Sequence, residues 1–370
     1  MKRTLFRLTL FLLLLILSSW GNRGHRIING NAPLSFPSQM AFMQFWGALL
    51  AANASEADYR KDTDPDEAPK HYIDIDAYPE FLQSGTIPHS WSAVVAAHGL
   101  SFVMDMGILP WATTAAYDTL VRCFQRHDYN KAVLVAADLG HYIGDGHMPL
   151  HITKNYNGQY SNQTGIHSRY ETSLISRFES QIIFPGDTVI QVNNVPEYVF
   201  DYIEYNYTYV DSVLLADRYA DSLAGSHSST LYYTTLWSRT GGFTIDLMRR
   251  ASHSLAELIY TAWIMAGSPV FFPNAMAENI SSNDFQLGQN FPNPFLHETT
   301  IPFDLEKGNR RVSLKVFNAQ GKEVKLLLDE TLAPGHYEIP FQTAGIPAGI
   351  YFYVLKSGGD KESKRLLLLP

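Results

Sequence analysis

The chain has 370 residues, enough for two domains, and its hydrophobic fraction of 46% excludes extended disorder. With 28 basic against 36 acidic residues the net charge is −8, which excludes bulk electrostatic attraction of a polyanion; a nucleic acid would need local charge or bound metal. A single cysteine, Cys123, excludes an internal disulfide, and its apolar helical surroundings mark it as a core filler.

In chain order, residues 1–19 read as a signal peptide. Lys2, Arg3 and Arg7 give a basic start, Leu8 to Leu17 is almost unbroken apolar sequence, and Ser18 and Ser19 supply small residues for cleavage. An apolar run of about ten residues is half of the ~20 that a spanning helix requires. Cleavage after Ser19 would make Trp20 the first residue of the mature chain.

Residues 20–268 are predicted to be predominantly helical. Gln39–Ala52, Ser90–Met106, Thr113–Arg126, Tyr129–Asp145, Ser168–Glu179, Glu197–Tyr219 and Ser229–Ala266 carry apolar residues at three- and four-residue spacing. Ile182–Val195, with β-branched residues around Pro185 and Gly186, is either a small hairpin or a loop. A polar linker is expected over 269–286. Beyond it, over 287–370, short alternating segments at Thr300–Leu305, Val312–Phe317, Glu323–Leu328, Gly335–Phe341 and Gly349–Leu355 are separated by turn residues. The expected architecture is therefore mainly α, followed by a small all-β sandwich.

Nine of the 13 histidines precede residue 170, and several stand at ligand spacing beside carboxylates. In His141-Tyr-Ile-Gly-Asp145-Gly-His147-Met-Pro149-Leu-His151, the first histidine and Asp145 are four apart on a predicted helix, so both side chains leave one face. Pro149 would turn the chain and send His151 in from another direction. His167 and Glu171 form a second i,i+4 pair. Upstream, Asp58 and His71 flank an acidic loop of Asp62, Asp64, Asp66 and Glu67. Imidazole and carboxylate together are a zinc-type ligand set. His89, His98 and His127 read as surface or core histidines.

Trp20-Gly-Asn-Arg-Gly-His25 resembles the mature start of the S1/P1 nucleases. His141–His151 and Gly165-Ile-His-Ser-Arg-Tyr-Glu171 resemble both those nucleases and the bacterial zinc-dependent phospholipases C. The resemblance implies a phospholipase C/P1 nuclease-type helical domain with three zinc ions. It places Asp58, His71, His141 and Asp145 on one ion, and His151, His167 and Glu171 on a second. A third takes the amine and carbonyl of Trp20, with His25 and a bridging Asp145. His147 matches a histidine that is not a ligand. The amine becomes available only after cleavage, so export would complete the site.

The implied reaction is water-driven hydrolysis of a phosphodiester, with Asp58 orienting the attacking water. Glu171, its sequence context and Tyr59, which matches an aromatic of a choline cage, favour a phospholipid headgroup. Ala68 stands where a second cage aromatic is expected. The Trp20–His25 start and His147 favour a single-stranded nucleic acid as the alternative substrate. Tyr156, in Lys154-Asn-Tyr156-Asn-Gly158-Gln-Tyr160, could stack a base or line a headgroup site. A reading of another class is a noncatalytic, zinc-stabilised surface binding protein. The implied second ion has three protein ligands, which leaves it open for water as in catalytic sites, and chelator-sensitive hydrolysis of bis-p-nitrophenyl phosphate would separate the two classes. The expected state is monomeric.

Leu287-Gly-Gln-Asn290-Phe-Pro-Asn293-Pro-Phe295, Thr299-Thr-Ile301, Val316-Phe-Asn-Ala-Gln-Gly321 and Gly349-Ile-Tyr351 resemble the type A sorting domain of the type IX secretion system. That resemblance implies export through the periplasm, engagement of the type IX machinery, and a secreted or cell-surface destination.

Overall fold

The computed structural model describes residues 21–270, 285–305, 309–318, 322–343, 345–358 and 360–369. The expected signal peptide, Trp20 and most of the expected linker lie outside the described residues. The chain divides into two compact units, Met1–Phe271 and Phe272–Pro370.

The first half of the helical unit comprises α1 (Gly21–Asn31), α2 (Trp46–Asn53), α3 (Glu56–Arg60), α4 (Pro79–Ser84), α5 (Trp91–His98), α6 (Leu100–Asp105), α7 (Leu109–Gln125) and α8 (Tyr129–Gly146). The second half adds α9 (Ile166–Ser168), a π-helical turn at Arg169–Leu174, α10 (Ile175–Phe178), α11 (Val195–Tyr207), α12 (Val210–Ala224) and the 36-residue α13 (Thr230–Met265). Start signals explain the long ones. Asp128 accepts the Lys131 N–H at 3.2 Å ahead of α8, and Ser229 Oγ accepts the Tyr232 N–H at 3.1 Å ahead of α13. Each such cap contributes about 1 kcal/mol.

The central element is α8, which packs against α1, α2, α7 and α13 and is buried on every side from Leu139 to Gly146. Two glycines make this possible. A Cβ on Gly140 would sit 2.3 Å from Asn29 Oδ1 and 2.6 Å from Leu255 Cδ2; one on Gly144 would sit 3.0 Å from His25 Nδ1. Their bare backbone lets α1 and α13 close on α8, and Asn29 Nδ2 fastens α1 there by donating to the Ala137 carbonyl at 2.9 Å.

Two expected helices are each divided. Gly99, at φ 84° and ψ 148°, breaks Ser90–Met106 into α5 and α6, and Glu197–Tyr219 becomes α11 and α12 with a joint at Thr208–Tyr209. Gln39–Ala52 opens as a 3₁₀ segment at Ser38–Met43 before α2 begins. Residues 182–194 form a loop rather than a hairpin, because their backbone bonds to α13 instead of to a partner strand. Ile190 N–H reaches Glu257 Oε1 at 3.2 Å, and Val192 N–H reaches Thr261 Oγ1 at 2.9 Å.

The second unit holds β1 (Phe285–Leu287), β2 (Glu298–Leu305), β3 (Arg310–Asn318), β4 (Glu323–Leu332), β5 (Gly335–Gln342), β6 (Gly349–Ser357) and β7 (Asp360–Leu368). They form two antiparallel sheets, ordered β1-β2-β5 and β4-β3-β6-β7. Strand alternation builds the shared core. Thr299, Ile301, Phe303 and Leu305 turn inward along β2, and Val312, Leu314 and Val316 do so along β3. Fully burying each large apolar side chain contributes about 1.5–3 kcal/mol. The fold class is thus mainly α followed by a small all-β sandwich.

Candidate metal centre

Five short pieces of chain deliver the buried polar cluster of the helical unit to the end of α8. His25 comes from α1, Asp58 from α3, and His141 and Asp145 from one face of α8. The 3₁₀ turns Ala68–His71 and Pro149–His151 present His71 and His151, while α9 and the π-helical turn present His167 and Glu171. His25, His141 and Asp145 have no exposed surface, and His71, His151, His167 and Glu171 are at most 4% exposed. Ligand atoms converge in three groups: His25–His141–Asp145, Asp58–His71–His141 and His151–His167–Glu171.

The hydrogen bonds fix which ring nitrogen each histidine presents. His141 Nδ1 donates to the Ala54 carbonyl at 2.7 Å, His151 Nδ1 to the His71 carbonyl at 2.7 Å and His167 Nδ1 to the Tyr156 carbonyl at 3.0 Å. A carbonyl can only accept, so in the neutral rings the proton sits on Nδ1 and the Nε2 lone pair faces inward. His151 Nε2 and His167 Nε2 lie 3.1 Å apart, with Glu171 Oε2 at 3.6 and 3.2 Å from them respectively. Two lone pairs and a carboxylate oxygen at that spacing repel one another unless a cation lies among them.

The neighbouring group has the same spacing. His71 Nδ1 lies 3.1 Å from His141 Nε2, 3.0 Å from Asp145 Oδ2 and 3.7 Å from Asp58 Oδ1; His141 Nε2 lies 3.5 Å from each of those two oxygens. Bonds of ~2.0–2.2 Å to a tetrahedral zinc put ligand atoms about 3.3–3.6 Å apart. Asp145 divides its oxygens, since Oδ1 is 3.5 Å from His25 Nε2 and 3.8 Å from His151 Nδ1. The His25 and His141 rings stack at 3.7 Å, which is why His141 belongs to two groups. Asp58 Oδ2, Asp145 Oδ1 and Glu171 Oε2 are buried without a hydrogen-bond partner among the described residues. Leaving such oxygens bare costs several kcal/mol. The donor set therefore fits zinc.

Electrostatics without metal are those of a proton trapped among carboxylates. Burial alone would lower the His141 pKa, but Asp58 and Asp145 outweigh it and hold the ring up at about 9. Burial and the neighbouring His141 push His25 down to about 4. Burial would raise Asp145 and Glu171, yet the surrounding imidazoles hold both below the usual carboxylate range.

Other residues singled out from the sequence lie as follows. Asp58 Oδ1 also pairs with Lys61 Nζ at 2.6 Å, an ion pair the sequence reading did not weigh. Tyr59 is half exposed and accepts from Asn22 Nδ2 at 3.2 Å; Tyr156 is half-buried, its ring 6.1 Å from that of His167. His147 joins none of the three groups, donates through Nδ1 to the Ile143 carbonyl and stacks on Tyr202. His89 bridges Glu197 and Glu204, His98 pairs with Glu80, and His127 bonds Tyr129. Sequence reasoning missed Glu67, which was counted only as part of an acidic loop. It is buried four residues before His71, and that i,i+4 spacing was the available signal.

Among curated proteins, a probable serine protease of Bradyrhizobium tropiciagri is 21% identical over 206 residues, covering 48% of this chain and 26% of that protein. The chain thus spans about a quarter of that relative's length. Among solved structures, the alpha toxin of Clostridium absonum is 12% identical with a TM-score of 0.39, covering 94% of this chain and 98% of that one. Alpha-toxin from an avian strain of Clostridium perfringens is 10% identical with a TM-score of 0.40, covering 94% and 99%. Residues 289–368 match the secretion system C-terminal sorting domain family, and that domain indicates export by the type IX secretion system to the cell surface or extracellular space.

Proposed function

We propose that the helical unit is a zinc-dependent phosphodiester hydrolase of the phospholipase C type, holding three ions. Asp58, His71, His141 and Asp145 would hold one, and His151, His167 and Glu171 a second. The freed Trp20 amine, which lies outside the described residues, would complete a third with His25 and Asp145. In this reading the signal peptide ends at residue 19, the catalytic domain runs from 20 to 268, and the sorting module begins at 287. The observation that carries the reading is the pair of inward Nε2 atoms of His151 and His167, 3.1 Å apart, with both Nδ1 protons committed to carbonyls. This group has three protein ligands, the count of a catalytic rather than a structural zinc.

Bound zinc supplies Lewis acidity toward a phosphoryl oxygen and acidifies water toward a pKa of ~7. The chain's own residues do the rest. Backbone carbonyls at Ala54, His71 and Tyr156 keep the imidazoles in ligating tautomers. Asp58 accepts a hydrogen bond from the attacking water through Oδ2, the oxygen that Lys61 does not engage. Tyr59 and Tyr156 flank the substrate.

The test is chelator-sensitive hydrolysis of bis-p-nitrophenyl phosphate by the mature protein with zinc counted by elemental analysis, followed by parallel assays on phosphatidylcholine and single-stranded nucleic acid. Hydrolysis confined to nucleic acid would select the S1/P1-type alternative on the same site. Bound zinc with no hydrolysis would leave the noncatalytic binding protein.

A further inference from the structure

We propose that Glu67 is a positioning residue for the metal centre, holding the His71 ring so that Nδ1 faces the cation and Nε2 carries the proton. The proposal rests on the zinc reading above and adds a residue to it. His71 is the exception among the inward imidazoles. His141, His151 and His167 present Nε2 and donate from Nδ1 to backbone carbonyls, whereas His71 presents Nδ1. Its Nε2 is buried and makes no hydrogen bond among the described residues, and the acceptor it faces is Glu67 Oε1 at 3.5 Å.

Glu67 is itself held in place. It is 1% exposed, and its carboxylate collects three further donors: Tyr142 Oη at 2.5 Å, Arg60 Nη2 at 3.2 Å and Lys70 Nζ at 2.8 Å. Arg60 is anchored in turn by Asp138 at 3.0 Å. Two cations and a phenol keep the carboxylate ionised and aimed. A charged acceptor behind a metal-binding imidazole fixes its tautomer and raises its basicity more than a neutral carbonyl does. His71 is carried on a 3₁₀ turn of four residues rather than on a long helix, and its Nε2 has no backbone carbonyl to hold it among the described residues, so Glu67 is the group placed to orient the ring. The competing account is that Glu67 only staples the loop between α3 and His71.

Zinc dissociation constants of the full mature chain, measured by competition with a chromogenic chelator, separate the two. Glu67→Gln should weaken one zinc by about 10–100-fold, while Tyr142→Phe, which removes the hydroxyl staple to Glu67 but keeps the ring's edge contact with His71, should change it by no more than about twofold. Thermal midpoints of the zinc-free variants report the stapling role separately. If Glu67→Gln does not fold, Glu67→Asp keeps the charge for Arg60 and Lys70 but withdraws it from His71, and the same weakening is expected. Wild-type zinc affinity in the folded variant, or equal losses in the Glu67 and Tyr142 variants, would overturn the proposal. His71→Ala distinguishes this from failure of the zinc reading itself: that variant losing an ion while Glu67→Gln keeps it sinks only the role of Glu67, whereas His71→Ala retaining every ion sinks both.

Discussion

The two units treat burial in opposite ways. In the β unit the interior is mostly apolar, with Ile301, Phe303, Leu314 and Tyr353 wholly buried; the polar side chains buried there among the described residues, such as Asn290 and Thr299, are uncharged, and strand alternation turns charge outward. In the helical unit the most deeply buried stretch of α8 is also where His141 and Asp145 stand, without any exposed surface. Removing apolar groups from water stabilises a fold by itself, whereas burying ionisable groups costs energy until each finds a partner. The β unit should therefore be stable on its own account, and the helical unit should depend on whatever satisfies its carboxylates and lone pairs.

Two experiments test that contrast where it is greatest. Asp145→Asn removes a charge that stands between two of the groups around α8, beside His25 in one and His71 and His141 in the other; turnover on bis-p-nitrophenyl phosphate should fall by about 10³-fold, equivalent to about 4 kcal/mol, with loss of bound zinc. Near-normal turnover with full zinc would take Asp145 out of the centre. Stripping zinc should next destabilise the helical unit alone, by up to about 4 kcal/mol per ion relative to zinc held at a thousand times its dissociation constant, and so lower its thermal midpoint. Calorimetry of the stripped protein should leave the β-unit transition where it was. A shift of both transitions, or of neither, would erase the contrast.

The pattern readable in the sequence follows the same division. His141 with Asp145 and His167 with Glu171 were legible because i,i+4 spacing on a helix is a local property. The π-helical turn that carries Glu171 was not, since Tyr170 is locked by a hydrogen bond to Thr244 of α13, seventy-four residues away. Strand β7 was missed because Asp360-Lys-Glu-Ser-Lys-Arg lacks apolar alternation; pairing with β6 along its whole length, from Gly349–Leu368 to Ser357–Asp360, makes it a strand. The break at Gly99 was visible as a glycine and was read through. Glu67 was obscured by its neighbours, four acidic residues in one loop of which it alone is buried.

A smaller effect probes how α1 reaches the centre. Gly140→Ala sets a methyl against Asn29 Oδ1 and Leu255, contacts that cannot both give way without moving α1 or α13. Overpacking of this kind costs about 1–3 kcal/mol. Because α1 carries His25, the loss should be accompanied by weaker zinc binding. An unchanged melting temperature would show that α1 does not seat on α8 through this glycine.

The smallest expected effect per step is also the one whose sign is most diagnostic. His141 is held up at about 9 against its ordinary 6.5, since Asp58 and Asp145 outweigh burial. A group whose pKa is raised by folding contributes stability that is complete below its unfolded value and disappears as pH climbs through the folded one. Zinc-free protein should accordingly lose stability between about pH 6.5 and 9. His25 opposes this near the lower end, because it is held down to about 4 and neutral in the fold while its unfolded ring at 6.5 still binds protons; the loss due to His141 is therefore clearest above about pH 7.5. Zinc reverses the direction. Cation and proton compete for the same Nε2, so raising the pH across that window should tighten zinc by up to about tenfold per unit. Melting curves of stripped and loaded protein, followed from pH 6.5 upward, should therefore diverge. Parallel curves would mean that His141 does not carry its proton between the two carboxylates, and that zinc does not displace it.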